Sequence, residues 1–299
     1  MYPWRSVNVI RRRQIYVMST VTRAGFRPFV DKAKIAFYRR AAINNKKRFE
    51  LAASNLHKQL CQNPPITLYR ISDGSGKKTR FPFATKEVCL RNFLRVFQPS
   101  RDDLIIIADN VGDVTWQMIN ALHPNTVRTS LHNAGSWRYA AFEIATKRFQ
   151  EDQVIYFVED DYLHRPGSRQ VLLEGIGIAH YVSLYDHKDK YLNANEGGPN
   201  PFVEYGGELT RVVRTTSAHW KLSNSTTMTF ATTVKVLRQD QRVWNRHTQG
   251  SSPNDFQAFL ELARKSRRLV TPVPSYSTHC EPAFAAPGID WANVAKAYI

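Results

Sequence analysis

Three carboxylates, Glu159, Asp160 and Asp161, follow one another without a spacer directly after the run Val-Ile-Tyr-Phe-Val at 154–158. Five β-branched and aromatic residues in succession read as a strand buried on both faces. Three acids at the end of such a strand repel one another and resist desolvation unless a cation or hydrogen-bond donors offset the charge. Hard oxygen ligands of this kind suit Mg²⁺ or Mn²⁺, ions commonly shared with a substrate diphosphate. The plainer alternative is that the acids turn the chain toward a following helix, since Arg165-Pro166-Gly167 comes next. Further polar groups stand where other apolar runs stop: Asp73, Asp109 and Asn133.

The elements around these residues explain how they could meet. A strand at 66–71 leads to Asp73, a helix at 85–97 presents Val88, Leu90, Phe93, Leu94 and Phe97 on one face, and a strand at 104–108 leads to Asp109. A short helix at 115–122, a strand at 127–131 ending in His132-Asn133-Ala134-Gly135, and a helix at 136–149 complete the run up to the acidic strand. Strand–helix alternation predicts a mainly parallel sheet with helices on both faces. In such sheets ligands bind outside the carboxyl ends of the strands, where Asp73, Asp109, Asn133 and the three acids all fall. The stretch Gly74-Ser75-Gly76-Lys77 imitates a phosphate-binding P-loop, but Ile71 stands where that motif requires glycine, which excludes it.

Downstream, a helix at 168–178, a strand at 181–184 and a long Gly-, Asn- and Pro-rich loop at 193–207 are expected. A strand at 209–215 and a hydroxyl-rich stretch at 218–229 follow, with Trp220 placed either on a sugar face or in the core. A helix at 232–244, a helix at 256–266 and a last strand at 269–273 close the pattern. Asp255 stands at the start of its helix in Ser252-Pro253-Asn254-Asp255, where a cap and a catalytic carboxylate are compatible roles.

Of 299 residues, 42% are hydrophobic and 22% charged, the balance of a globular chain, and no run approaches the roughly 18 apolar residues of a membrane span. Cys61, Cys89 and Cys280 form neither a zinc pattern nor a disulfide framework, which fits a reducing, cytoplasmic compartment. The net charge of +17 is concentrated: residues 1–60 carry 14 Lys/Arg against Asp31 and Glu50. Residues 1–63 therefore read as a basic, mostly helical N-terminal extension without the apolar core of a signal peptide, bounded by Pro64-Pro65. Such a segment suits peripheral contact with an anionic membrane, and nucleic acid is not expected as the partner.

The order of these features resembles the GT-A glycosyltransferases, over roughly residues 65–282. Their Asp-x-Asp motif is matched here by Glu159-Asp160-Asp161, and the Asn-x-Gly stretch beside the nucleotide by His132-Asn133-Ala134-Gly135 with Arg138. The resemblance implies a Rossmann-like, mixed but mainly parallel sheet, with a nucleotide-sugar half at 64–162 and an acceptor half at 163–299. It implies Asp161 and His279 as ligands of Mn²⁺ or Mg²⁺, with Asp160 facing the donor ribose or the metal shell. Asp73 and Asp109 match positions beside the nucleobase; Arg70, Asn133 and Arg138 belong to the same donor site. Asp255 matches the general base of inverting members. The implied activity is metal-dependent transfer of a sugar, from a UDP-sugar most commonly, to a hydroxyl of a glycan acceptor.

Two other classes compete. A nucleotidyltransferase shares the α/β core and Mg²⁺, and releases pyrophosphate from a nucleoside triphosphate. A polyanion- or nucleic-acid-binding protein driven by the basic N-terminus leaves the clustered acids at the strand ends unexplained. Because the charge of the extension is separable from the acids, deleting residues 1–25 is expected to preserve turnover on a soluble acceptor. Vesicle sedimentation should show weaker binding to anionic lipid, by about 1 kcal/mol per basic residue lost near the surface. Loss of turnover in a folded deletion would instead make this segment part of the catalytic domain.

Overall fold

The structure, a computed structural model, describes residues 64–74, 79–198, 200–204 and 206–298. The basic extension at 1–63 and its boundary lie outside the described residues. In chain order the first half contributes β1 (Ile66–Ser72), α1 (Lys86–Phe97), β2 (Leu104–Asp109), α2 (Asp113–Leu122) and β3 (Thr126–Thr129). It continues with α3 (His132–Arg138), which runs on through a π-helical stretch Tyr139–Ala145, then β4 (Val154–Glu159) and β5 (Tyr162–His164). The second half holds α4 (Ser168–Ile176), β6 (Tyr181–Val182), a 3₁₀ turn Lys188–Tyr191, and the strands β7 (Val203–Glu204), β8 (Gly207–Glu208), β9 (Val212–Arg214), β10 (His219–Ser223) and β11 (Phe230–Thr233). The helices α5 (Val234–Gln239), α6 (Gln241–His247) and α7 (Asp255–Arg264), strands β12 (Leu269–Val273) and β13 (Ser277–His279), and α8 (Trp291–Lys296) complete it.

Nine of the strands form one mixed sheet in the order β3-β2-β1-β4-β11-β6-β12-β10-β9. The β3-β2-β1-β4 block is parallel throughout, and β12 is parallel to β6, while β11, β10 and their neighbours pair antiparallel. Helices cover both faces, because successive residues of the central strands β1, β2 and β4 are buried on both sides. Alternate residues serve the two layers: Val154, Tyr156 and Val158 of β4 pack with Phe93 of α1 and Leu172 of α4, and Ile155 and Phe157 pack with Trp137, Trp244 and Phe259.

Several elements differ from the sequence pattern for identifiable reasons. Helix α3 begins at His132 rather than at 136, so the His-Asn-Ala-Gly stretch is the helix's first turn, entered through a left-handed His132 at φ 61°. Residues 230–233 are a strand, with Phe230 buried between layers; the helix starts at Val234 because the Thr233 hydroxyl accepts from the Val236 amide and caps it. The expected 232–244 helix then breaks at Asp240 into α5 and α6. The 193–207 loop contains a short 3₁₀ turn and the first strand of the small β7–β8 pair. Trp220 belongs to the core: it is 0% exposed, and its indole N–H donates to Thr215 Oγ1 at 2.8 Å.

That tryptophan lies against Gly175 of α4, where a Cβ would stand 2.7 Å from both the Trp220 ring and Val182 Cγ1. The helix approaches the sheet this closely only because position 175 has no side chain. Gly175→Ala is expected to destabilise the fold by about 1–3 kcal/mol through overpacking. Urea unfolding checks this; a variant as stable as the wild type would show that α4 can lift off the sheet without loss.

Candidate active site

The three acids leave β4 in different directions, and each finds a different environment. Glu159 turns toward Arg70 of β1, whose guanidinium lies 3.6 Å from its carboxylate. Asp160, 5% exposed, is held below the surface: its Oδ2 accepts from the Ser72 amide at 3.1 Å and its Oδ1 receives Arg80 Nη2 at 2.7 Å. Burial pushes the Asp160 carboxyl above its ordinary pKa, with Asp161 acting in the same direction, while Arg80 opposes both. Asp161 turns the other way, toward the last strand. Arg80 also reaches Asp161 at 4.0 Å, so one cation serves both adjacent carboxylates.

The placement of His279 follows from register. Strand β13 pairs antiparallel with β5, setting His279 opposite Tyr162, and the Cys280 amide donates to the Asp161 carbonyl at 2.8 Å. This ribbon carries a residue from the end of the chain to the acids at its middle. His279 Nε2 lies 3.1 Å from Asp161 Oδ2 and 3.9 Å from Glu281 Oε1, and one ligand atom from each of the three residues falls within 4.8 Å of the others. Octahedral Mg²⁺ or Mn²⁺ with bonds near 2.1 Å places neighbouring ligand atoms about 3 Å apart and opposite ones about 4.2 Å apart. The two separations from His279 Nε2, 3.1 and 3.9 Å, fall within that range, and the oxygen, nitrogen and oxygen donors of the triad suit the same ions. Glu281 is absent from the sequence-derived ligand set, although its position two residues after a strand-borne histidine places both side chains on one side of an extended chain.

The residues expected at a donor site divide into two groups. Arg70 donates through Nη2 to the Asn133 carbonyl at 3.1 Å and to the Asn133 side-chain oxygen, and through Nε to Ser136 Oγ at 3.3 Å. Arg70, Asn133 and Glu159 thus meet at the carboxyl edge of the sheet, between β1, β4 and α3. Asp109 and Asp73 are engaged in holding that edge together. The Asp109 carboxylate, 2% exposed, accepts from Thr129 Oγ1, the Leu131 amide and Asn110 Nδ2 at 2.9, 2.6 and 2.9 Å. Asp73 accepts from Lys86, from the Gly112 amide at 2.9 Å and from Thr115 Oγ1 at 3.0 Å, so it caps α2 from outside the helix. Partial burial raises the Asp73 pKa, but the bonds from Lys86, Gly112 and Thr115 outweigh it and hold the carboxyl below its ordinary value. Arg138 points elsewhere, donating to the Thr248 carbonyl at 2.9 Å.

Asp255 opens α7 at the same edge. The capping role falls to Asn254, whose side chain accepts from the Gln257 amide, leaving Asp255 to accept from Phe256 N at 2.7 Å. Desolvation pushes the Asp255 carboxyl up to about 6, against the pull of the Phe256 amide and of Lys190. Lys190 is 2% exposed and donates to Asn224 Oδ1 and Ser225 Oγ at 2.7 and 2.6 Å. His187 sits between the two centres: its Nδ1 lies 2.7 Å from Asp189 Oδ1, and its ring packs on Tyr185 and Phe284, which also flank His279. Arg80, Lys190 and Lys221 belong to this region without any motif in the sequence to single them out.

No protein-family model and no curated protein sequence matches the chain. Among solved structures it is similar to GalNAc-T7 with UDP, GalNAc and Mn²⁺, at 11% identity over 72% of this chain and 43% of that one, with a TM-score of 0.46. It is similar to the galactosyltransferase LgtC in complex with donor and acceptor sugar analogs, at 7% identity over 69% of this chain and 73% of that one, with a TM-score of 0.36. A third is CMP:2-keto-3-deoxy-manno-octonic acid synthetase complexed with CTP, at 14% identity over 71% of this chain and 92% of that one, with a TM-score of 0.41. The chain spans less than half the length of GalNAc-T7 and of the bifunctional glycosyltransferase WbbM, 43% and 38% respectively. Likeness of this degree leaves the chemistry of the chain to its own residues.

The triad is expected to bind Mn²⁺ in the absence of any nucleotide. Isothermal titration should show Asp161→Asn and Glu281→Gln weakening that binding by at least about tenfold, the loss that follows removal of even an outer-shell partner. Unchanged affinity in both variants would remove the triad as a metal site.

Proposed function

We propose that this protein is a metal-dependent glycosyltransferase that moves a hexosyl or pentosyl group from a nucleotide-diphosphate sugar, UDP-sugar favoured, to a glycan hydroxyl with inversion. The observation that carries this reading is the Asp161–His279–Glu281 triad, assembled at the carboxyl edge of the sheet, with Asp255, a carboxylate whose pKa is pushed up to about 6, opening a helix of the other layer. A divalent cation held by the triad would supply charge stabilisation to a departing diphosphate. The Arg70–Asn133–Glu159 cluster lies at the ends of the parallel strands, where nucleotides bind in open α/β sheets, and supports the donor assignment. Asp255, on the opposite helical layer, accepts the proton of the acceptor hydroxyl as it attacks. A base with a pKa near 6 is largely ionised at neutral pH yet retains more basicity than an exposed aspartate. Contact of residues 1–60 with an anionic membrane surface from the cytoplasmic side completes the proposal.

Asp255→Asn is expected to lower kcat by about 10²–10⁴-fold while leaving the donor Kd nearly unchanged. The wild-type rate should rise with pH through about 6, because the carboxylate is active only when deprotonated, and that acid limb should vanish in the variant. Steady-state kinetics across pH, with the anomeric configuration of the product, test this. Near-normal turnover of the variant would refute the base, a retained configuration would refute inversion, and pyrophosphate release from a nucleoside triphosphate would identify a nucleotidyltransferase instead.

A further inference from the structure

On the same edge of the sheet, at the end away from β3, lies a cleft of about 380 Å³ lined by Tyr191, Glu208, Val212, His219, Lys221 and Val273, with Gly207 and Thr210. Its position follows from topology: β12 runs parallel to β6, so Val273 ends β12 on the edge that carries the triad, and His219 and Lys221 of β10 pair with Val273 and Thr271. The floor is a buried ionic network. Lys221 Nζ, on a side chain 5% exposed, lies 2.7 Å from Asp186 Oδ1 and 3.6 Å from Glu208 Oε2, and 4.4 Å from the centre of the Tyr191 ring. Ser223 Oγ and the Asn224 amide donate to the Glu208 carboxylate at 3.2 and 2.8 Å, which fixes its orientation.

Buried charges in such an arrangement are costly to build, and the 3.6 Å separation of Lys221 from Glu208 leaves an ammonium and a carboxylate at fixed positions without a direct hydrogen bond between them. The walls are apolar and open to solvent: Val212, on the edge strand β9, is 63% exposed and Val273 40% exposed. A concave site with apolar walls and a few convergent, rigid polar groups is the form small-molecule sites take, and its volume lies within the usual range. A pyranose matches it on both counts. Its C–H face can lie on Val212 and Val273 while two neighbouring hydroxyls bridge the Glu208 carboxylate and the Lys221 ammonium.

One turn of the chain relates the cleft to the proposed base. Consecutive residues of the 3₁₀ turn Lys188–Tyr191 serve the two places: Lys190 bonds Asn224 and Ser225 on the side from which it acts on Asp255, and Tyr191 lines the cleft. We infer that this cleft is the acceptor subsite and that it takes a neutral pyranosyl residue, held by Glu208 and Lys221 and stacked on Val212 and Val273. The inference rests on the proposed glycosyl transfer for its role, but the sugar binding itself is independent of it.

The test uses the full chain and a panel of methyl pyranosides (glucoside, galactoside, mannoside and N-acetylglucosaminide, both anomers), with binding read by saturation-transfer NMR in the absence of donor. At least one glycoside should bind the wild type, and Val212→Trp, which fills the cleft from an exposed edge strand, should weaken it by about tenfold or more. Glu208→Gln should do the same by removing the carboxylate acceptor. Binding undiminished in Val212→Trp, or no binding of any glycoside by the wild type, would overturn the subsite. Binding of UDP, GDP and dTDP with Mn²⁺, measured on the same samples, separates the two readings: absence of all three from the wild type alongside intact glycoside binding would overturn glycosyl transfer and keep the cleft as a sugar site.

Discussion

The guanidinium of Arg80 lies between two buried carboxylates, 2.7 Å from Asp160 and 4.0 Å from Asp161, and the rest of the site depends on that contact. Without it, two adjacent acids would share a desolvated position at the end of a central strand. Desolvation works against the charge of Arg80, but the two carboxylates outweigh it and raise the guanidinium pKa above its ordinary value. Breaking a buried pair of this kind costs about 3–5 kcal/mol, because the remaining charge is left uncompensated. With Asp160 tied to Arg80 and to the Ser72 amide, Asp161 keeps only the longer contact with the same cation and turns toward β13. The carboxylates are thereby given different tasks by environment rather than by type.

The ribbon of β5 and β13 is the second requirement. It lies outside the nine-stranded sheet and pairs only three residues on each side, yet it fixes the register that puts His279 opposite Tyr162. Arg165 N–H donates to the Tyr276 carbonyl at 2.9 Å and Arg165 Nη1 to the Ser275 carbonyl at 2.9 Å, while its guanidinium stacks on the Tyr276 ring at 4.7 Å, continuing the same attachment past the strand end. The Ser275 hydroxyl in turn accepts from the Asp186 amide at 2.8 Å. The triad and the ionic network of Lys221 are therefore both attached to one short loop.

Much of the architecture was legible in the chain. The parallel block β1 to β4 is visible as apolar runs separated by amphipathic helices, because a strand buried on two faces and a helix buried on one have different periods. The antiparallel insertion of β11 was not legible. Phe230-Ala231-Thr232-Thr233 is too short to show alternation, and its place between β4 and β6 is decided by pairing across the sheet. Trp220 likewise carries no mark of its place until Gly175 is brought against it.

The sequence by itself determined that acids gather at strand ends, that His279 and Asp255 are candidates for chemistry, and that the parallel block builds an edge for a ligand. Strand ends are local facts, written in the order of apolar runs and polar stops. Only the tertiary structure decided how those groups divide. Asp109 and Asp73 are bound into the turns, Asp160 is paired with Arg80, and Arg138 faces Thr248, whereas Asp161 meets His279 and Glu281. The reason is that a carboxylate's role is set by which donors reach it, and Arg80, Lys86, Lys190 and Lys221 come from parts of the chain that nothing in the linear order connects to the acids they face.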